Sequence, residues 1–229
     1  MSLYAIGDLH LSLGTDKPMD VFGGGWDNYM QKLKAGFAML TAEDTCVICG
    51  DVSWGMSLEE SLQDFKFIDA LPGKKIILKG NHDYWWTTMS KIKTFFDANG
   101  ITSIDILFNN SFRLGDMALC GTRGWFYEEQ VGTEHNKKIM AREIMRLEAS
   151  LKNAGDAPEK ICFFHYPPIF KEYISRGIID VMKESGVKSC WYGHIHGHGH
   201  RWALTGEYEG IMYHMVSADY VGFTPVKVK

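Results

Sequence analysis

Leu3-Tyr4-Ala5-Ile6-Gly7-Asp8-Leu9-His10 is an apolar run that breaks on glycine and then presents a carboxylate and an imidazole. Four apolar residues ended by glycine have the length and texture of a buried strand. The same phrase recurs along the chain. Cys46-Val47-Ile48-Cys49 leads into Gly50-Asp51, and Lys75 to Leu78 leads into Lys79-Gly80-Asn81-His82-Asp83. Lys160 to Phe164 leads into His165-Tyr166-Pro167-Pro168, and Ser189 to Tyr192 leads into Gly193-His194-Ile195-His196. Five strands therefore end in Asp, Asn or His, with glycine ahead of the polar group in four of them. In open α/β sheets ligands gather outside the carboxyl ends of the strands. Glycine lets the backbone turn sharply there.

Working outward, further apolar runs predict strands over Ile104 to Phe108, Met117 to Cys120 and Met212 to Val216. Amphipathic stretches between the runs predict helices over Trp26 to Leu40, Ser57 to Leu71, Thr88 to Ala98, Thr133 to Asn153 and Ile178 to Glu184. Ser57-Leu58-Glu59-Glu60 has the form of a capping box, with Leu58, Leu62 and Phe65 on one face. In the longest helix Met140, Ile144, Leu147 and Leu151 recur at helical spacing, and Lys137, Lys138, Arg142 and Glu143 read as a solvated face. Strands alternating with helices mean an α/β protein, here expected as a single domain over 1–229. Two long loops, Leu11 to Gly25 and Gly121 to Gly132, have the length of site walls.

Composition narrows the function. The 229 residues carry 45% hydrophobic and 23% charged side chains, enough apolar material for a core without disulfides. A net charge of −4 with no polybasic run argues against nucleic acid as a partner. Five cysteines, an odd number in no framework, suit a reducing compartment. Cys46 and Cys49 lie inside an apolar strand and are expected as inert buried thiols. No basic stretch and apolar run precede the first strand, so no signal peptide is expected, and no run is long enough for a membrane span. A cytoplasmic location follows as an expectation.

One Asp at a strand end is ordinarily a turn or helix-cap residue, and one His is ordinarily just hydrogen-bonded. The ordered set D-x-H, G-D, G-N-H-D, H-x-P-P and G-H-x-H is a different matter. Imidazoles, carboxylates and an amide converging on one place suit Mn, Fe, Zn or Ni better than Ca or Mg alone. From Asp8 to His196 the set resembles the motifs of the calcineurin-like metallophosphoesterase superfamily. That resemblance implies a calcineurin-like four-layer sandwich, two mixed β-sheets flanked by α-helices. It implies two divalent transition-metal ions, Mn or Fe first and Zn or Ni as alternatives. One would be held by Asp8, His10 and His196, the other by Asn81, His165 and His194, with Asp51 between them. His82 would stand beside the phosphate without binding metal, and Asp83 would orient His82. Two ions about 3.5–4 Å apart clamp a phosphoryl group and lower the pKa of a bridging water. The expected reaction is hydrolysis of a small phosphomonoester or phosphodiester, a nucleotide among the candidates, by a metal-bridging hydroxide.

Departures from some branches matter. Protein Ser/Thr phosphatases of the superfamily continue with D-R-G and use G-N-H-E, whereas Asp51 here leads into Val52-Ser53-Trp54-Gly55. Lipid-A-pathway pyrophosphatases, which the opening motif resembles, tend to have Arg at the place of His82. A nuclease and a non-catalytic protein-binding scaffold of the same fold are the rival readings; the complete motif set counts against the scaffold. Several residues stay open on sequence alone. Trp54, Trp85, Trp86 and Trp125 either wall the pocket or pack the core. Arg123 either binds phosphate or forms a loop ion pair. His198 and His200 either contact substrate or belong to the loop. His135 reads as surface, and His214 as a strand residue that can hydrogen-bond near the site. The sequence does not decide the oligomeric state.

Overall fold

In the computed structural model, which describes residues 1–17, 19–126 and 133–229, the apolar runs become strands in the expected order. The chain runs β1 (Leu3–Ile6), α1 (Tyr29–Phe37), β2 (Thr45–Ile48), α2 (Leu62–Asp69), β3 (Lys74–Ile77), α3 (Met89–Ala98) and β4 (Ile104–Ile106). It continues through β5 (Phe112–Leu114), β6 (Met117–Thr122), α4 (Glu134–Asn153), β7 (Glu159–Phe164), β8 (Ile169–Phe170), β9 (Tyr173–Ile174) and α5 (Arg176–Glu184). β10 (Ser189–Tyr192), β11 (Gly206–Tyr208), β12 (Ile211–Met215) and β13 (Val226–Lys227) complete it.

Two large sheets result. One has the order β13-β1-β2-β3-β4, the other β11-β12-β10-β7-β6-β5. The inner strands run parallel, while β13, β11 and β5 pair antiparallel at the edges, so both sheets are mixed. Period-two alternation sorts the side chains. Leu3, Ala5, Val47 and Cys49 of the first sheet meet Ile161, Phe163 and Trp191 of the second in a shared central core. Tyr4, Ile6, Cys46 and Ile48 face outward beneath residues of α1, α2 and α3. Cys162, Phe164 and Tyr192 face outward beneath α4 and α5. The layers are therefore helix, sheet, sheet, helix, the four-layer sandwich expected. All five cysteines are buried and free, and Cys46 and Cys49 point to opposite faces of their strand.

Several boundaries differ, for physical reasons. Regular helix α1 begins only at Tyr29, because Asn28 takes a left-handed conformation with φ 54°. Ser57 Oγ does accept from Glu60 N (3.2 Å), but the Glu60 carboxylate turns to Met56 N, and regular helix starts at Leu62. The far end of α2 is closed by a buried side chain. The Lys75 ammonium donates to the carbonyls of Leu71 (2.6 Å), Gly73 (2.7 Å) and Asp69 (3.3 Å). Glu143 is fully buried rather than part of a solvated face. It accepts from Thr122 Oγ1 and pairs with Arg146, so the burial is compensated. The short edge strands β5, β11 and β13 carry no apolar run that would announce them. The stretch 127–132 of the second long loop lies outside the described residues.

Register then positions the site. Ile6 is level with Ile48, and Ile48 with Ile77. Phe164 is level with Tyr192 in the second sheet. The sheets are joined at this edge, where Gly7 N donates to Val216 O (2.7 Å) and Ala218 N donates to Gly7 O (3.0 Å). All five polar strand ends therefore emerge along one rim, three from one sheet and two from the other.

Candidate metal centre

The strand ends do not simply stop; they turn hard. Asp8, His10, Asp51 and His194 all adopt positive φ, between 46° and 73°. Such conformations cost about 1–3 kcal/mol each in non-glycine residues and persist only where the surroundings over-determine them. Here hydrogen bonds supply that constraint. Asp8 accepts from His194 N through both carboxylate oxygens (2.8 and 3.0 Å), and Asp51 Oδ1 accepts from His82 N (2.7 Å). Glycines make the crowding possible. A Cβ on Gly80 would lie 2.0 Å from Asp51 Oδ1, and one on Gly193 would lie 2.5 Å from Asp8 Oδ2.

The ligand candidates form two clusters. Donor atoms of Asp8, His10 and His196 lie within 4.8 Å of one another, as do those of Asp51, His165 and His194. Asn81 joins the second cluster, its Oδ1 2.6 Å from His165 Nε2. Asp51 lies between the clusters, with Oδ2 3.7 Å from His10 Nε2 and 3.6 Å from His165 Nε2. All seven residues predicted from the sequence are thus brought together.

Neutral imidazoles suit cations. Burial pushes His10 and His194 well below the usual imidazole range and takes His165 down to about 3. Neutral His165 donates from Nδ1 to Cys49 O (3.0 Å), which leaves a bare lone pair on Nε2 facing Asn81 Oδ1. His10 Nε2 and His196 Nε2 face each other at 3.3 Å, so at most one of them carries a proton. Burial raises Asp8 to about 8, against the pull of His196, and raises Asp51 to about 6. Lone pairs and buried carboxylates aimed at each other are a donor set that a divalent ion satisfies, so these residues fit the two ions the motifs imply.

Asp83 has a different role from the one expected. Its buried carboxylate accepts from Gly80 N (2.7 Å) and Asp51 N (2.9 Å) on Oδ2. On Oδ1 it accepts from Val52 N (2.8 Å), Ser53 N (3.4 Å) and Trp85 Nε1 (2.9 Å). It ties the loop after β2 to the loop after β3, and the His82 ring is not among its partners. That ring instead lies 4.4 Å from Trp54, with Nδ1 3.5 Å from Tyr84 Oη.

The residues left open divide. Trp54 stacks on His10 at 5.1 Å and walls the site, whereas Trp85 is a core residue packed on Phe65. Trp125 packs beside Tyr166, whose ring lies 4.4 Å from His194. His214 stacks on Trp191 at 3.9 Å, and His198 is exposed. Asp219 was not foreseen. Its Oδ1 is 2.8 Å from His196 Nδ1, and its Oδ2 accepts from Gly197 N (3.0 Å) and lies 3.2 Å from His200 Nε2. Burial would lower His196, but the Asp219 hydrogen bond and the nearby carboxylates prevail and raise it to about 9. Asp219 stands four residues past the end of β12 and behind Ser217-Ala218, without the glycine that marks most of the other strand ends, so its only sequence signal is its place after a strand.

Comparison with known proteins agrees with the geometry. The model of a family described as Calcineurin-like phosphoesterase matches residues 1–198. No curated protein matches the chain. Among solved structures, the phosphopantetheinyl hydrolase PptH of Mycobacterium tuberculosis is similar with a TM-score of 0.61 at 13% identity, covering 99% of this chain and 95% of that one. The protein of unknown function AQ665 of Aquifex aeolicus is similar with a TM-score of 0.51 at 17% identity, over 99% and 95% of the two chains. At such identities the likeness is one of fold. Among the described residues no helix is long and apolar enough to cross a membrane.

Proposed function

The chain belongs to the calcineurin-like phosphoesterases, and on that footing we propose that it hydrolyses a small phosphate ester at a centre of two divalent transition-metal ions, Mn or Fe first and Zn or Ni as alternatives. The observation that carries this reading is the position of Asp51 Oδ2, 3.7 Å from His10 Nε2 and 3.6 Å from His165 Nε2, between two clusters of buried donors. Asp8, His10 and His196 would hold one ion; Asn81, His165 and His194 would hold the other; Asp51 would serve both. Such ions supply Lewis acidity and a water acidic enough to ionise near neutral pH.

The protein's own groups do the rest. Asp83 holds the Asp51 and Gly80 backbones in place, and Asp219 keeps His196 Nδ1 engaged so that Nε2 faces the centre. His82 has no carboxylate partner among the described residues and sits on Trp54, at the rim of the donor clusters. From there it can donate a proton to the departing ester oxygen. Trp54, packed against both His10 and His82, keeps water off that side of the site.

The test is turnover of a panel of phosphomonoesters, cyclic nucleotides, simple phosphodiesters and a phosphopantetheinyl ester, last because a protein of similar fold is named for that group. Chelator-treated protein should be inactive, and activity should return with Mn, Fe, Zn or Ni, saturating near two ions per chain. Equal activity with and without metal, or no activity on any ester under metal, overturns the proposal.

A further inference from the structure

Beside the metal centre lies an open cleft of about 640 Å³ that the proposed reaction does not use. Two strand-end loops connect it to the centre. Lys79, on its wall, precedes Asn81 by two residues, so the two Cα atoms are at most ~7.6 Å apart. Arg123, also on the wall, follows β6, and its carbonyl accepts from Tyr166 N (2.9 Å), next to His165.

The cleft is cationic. Lys79, Arg123, Arg142 and Arg146 line it against one carboxylate, Glu143. Glu143 is already engaged by Thr122 and Arg146 and stands 3.8 Å from Arg123. Among the described residues, Lys79 and Arg142 have no carboxylate within ion-pair distance, and Arg123 Nε is buried with no hydrogen-bond partner. Thr88, the N-cap of α3, and Met89, its first residue, also line the cleft, so the positive end of that helix adds to the field. The aromatic faces are occupied by cations: the Lys79 ammonium lies 6.0 Å from the Trp86 ring and the Arg146 guanidinium 5.3 Å from the Phe108 ring. Stacking of a base is therefore not what the cleft offers. It offers several unspent donors from different directions, which suits a tetrahedral dianion better than a planar carboxylate.

We propose that this cleft binds a second phosphate of the substrate, so that the preferred ester carries two phosphoryl groups, one at the metal centre and one between Lys79, Arg123 and Arg142. This rests on the phosphoesterase reading above. The separation of the two sites is on the order of 10 Å, given the reach of a lysine beyond two backbone steps, which a hexanediol chain spans.

The experiment compares hexanediol bisphosphate with hexanediol monophosphate on the metal-loaded enzyme. The bisphosphate should have the higher kcat/KM by at least about tenfold, the worth of one or two charge-assisted contacts. In the Lys79→Ala/Arg142→Ala variant the ratio between the two esters should fall towards one. A wild-type ratio near one, or a ratio the variant leaves unchanged, overturns the proposal. If the wild-type enzyme turns over neither ester, the ester panel above decides the metal-centre reading, and titration calorimetry of chelator-treated protein with the bisphosphate decides the cleft. Binding weakened at least about tenfold in the variant upholds it; no binding, or binding equal in both proteins, overturns it.

Discussion

Replacing Asp83 by Asn changes one atom and should cost the protein a large share of its stability. Both carboxylate oxygens act only as acceptors: Oδ2 serves Gly80 N and Asp51 N, and Oδ1 serves Val52 N, Ser53 N and Trp85 Nε1. An amide offers one acceptor side. However the side chain turns, its NH₂ faces at least two N–H donors in a site with no solvent exposure. Each buried donor left without a partner costs about 1–3 kcal/mol, so the loss should be about 2–6 kcal/mol, centred near 4. For a chain of this length each kcal/mol lowers Tm by about 2–4 °C, which puts the expected drop at about 8–16 °C. The measurement is thermal and denaturant unfolding by circular dichroism with chelator present, so that metal binding does not enter. The same change should lower turnover strongly, because Asp83 positions the Asp51 backbone and a misplacement of about 1 Å can cost ~10²-fold. A Tm drop below about 3 °C in metal-free protein would refute the view of Asp83 as the tie between the two loops.

The remaining expectations concern the centre and one distant cap. Asp51→Ala should lower metal content, activity and metal-dependent stability together; at metal concentrations a hundredfold above Kd the stabilisation at stake is about 2.7 kcal/mol, and retention of two ions with normal turnover would remove Asp51 from its bridging place. His82→Gln should keep both metals but lose about 10²–10⁴-fold on alkyl phosphates and much less on nitrophenyl phosphate, whose leaving group needs no proton; equal losses on both would leave only an electrostatic role. Asp219→Asn should weaken metal affinity about 10–100-fold with the fold intact, and an unchanged metal titration would show that His196 needs no such partner. Lys75→Met should destabilise by about 2–4 kcal/mol in urea unfolding, since three carbonyls at the end of α2 lose their shared donor; a change under 1 kcal/mol would mean water replaces the ammonium.

Much of the candidate site was legible because it follows one rule. A strand that ends in glycine and then Asp, Asn or His puts its functional atom at the sheet's rim, and that phrase can be read in a linear sequence at Gly7-Asp8 as well as at Gly193-His194. What the sequence did not show depends on packing. Glu143 has the spacing of a surface residue on α4, and only the approach of Thr122 and Arg146 explains its burial. The family resemblance assigns Asp83 to orienting His82, yet its carboxylate turns to the neighbouring loop. Edge strands β5, β11 and β13 hold together through pairing with longer neighbours, and pairing leaves no trace in an apolar pattern.

The seam at Gly7 and Val216 has a wider consequence. Asp8, His10, Asp51 and Asn81 come from the first sheet, and His165, His194 and His196 come from the second. Asp8 and His194, which touch through a hydrogen bond, are 186 positions apart in the chain. No local piece of the polypeptide can assemble the centre; it exists only once both halves of the sandwich have closed on each other. An ion bound by both sets would act as a rivet across that joint, adding to its apolar contacts, its backbone hydrogen bonds and side-chain bonds such as Asp8 with His194 and His165 with Cys49. Metal supply would then add to cohesion across the joint as well as supply chemistry.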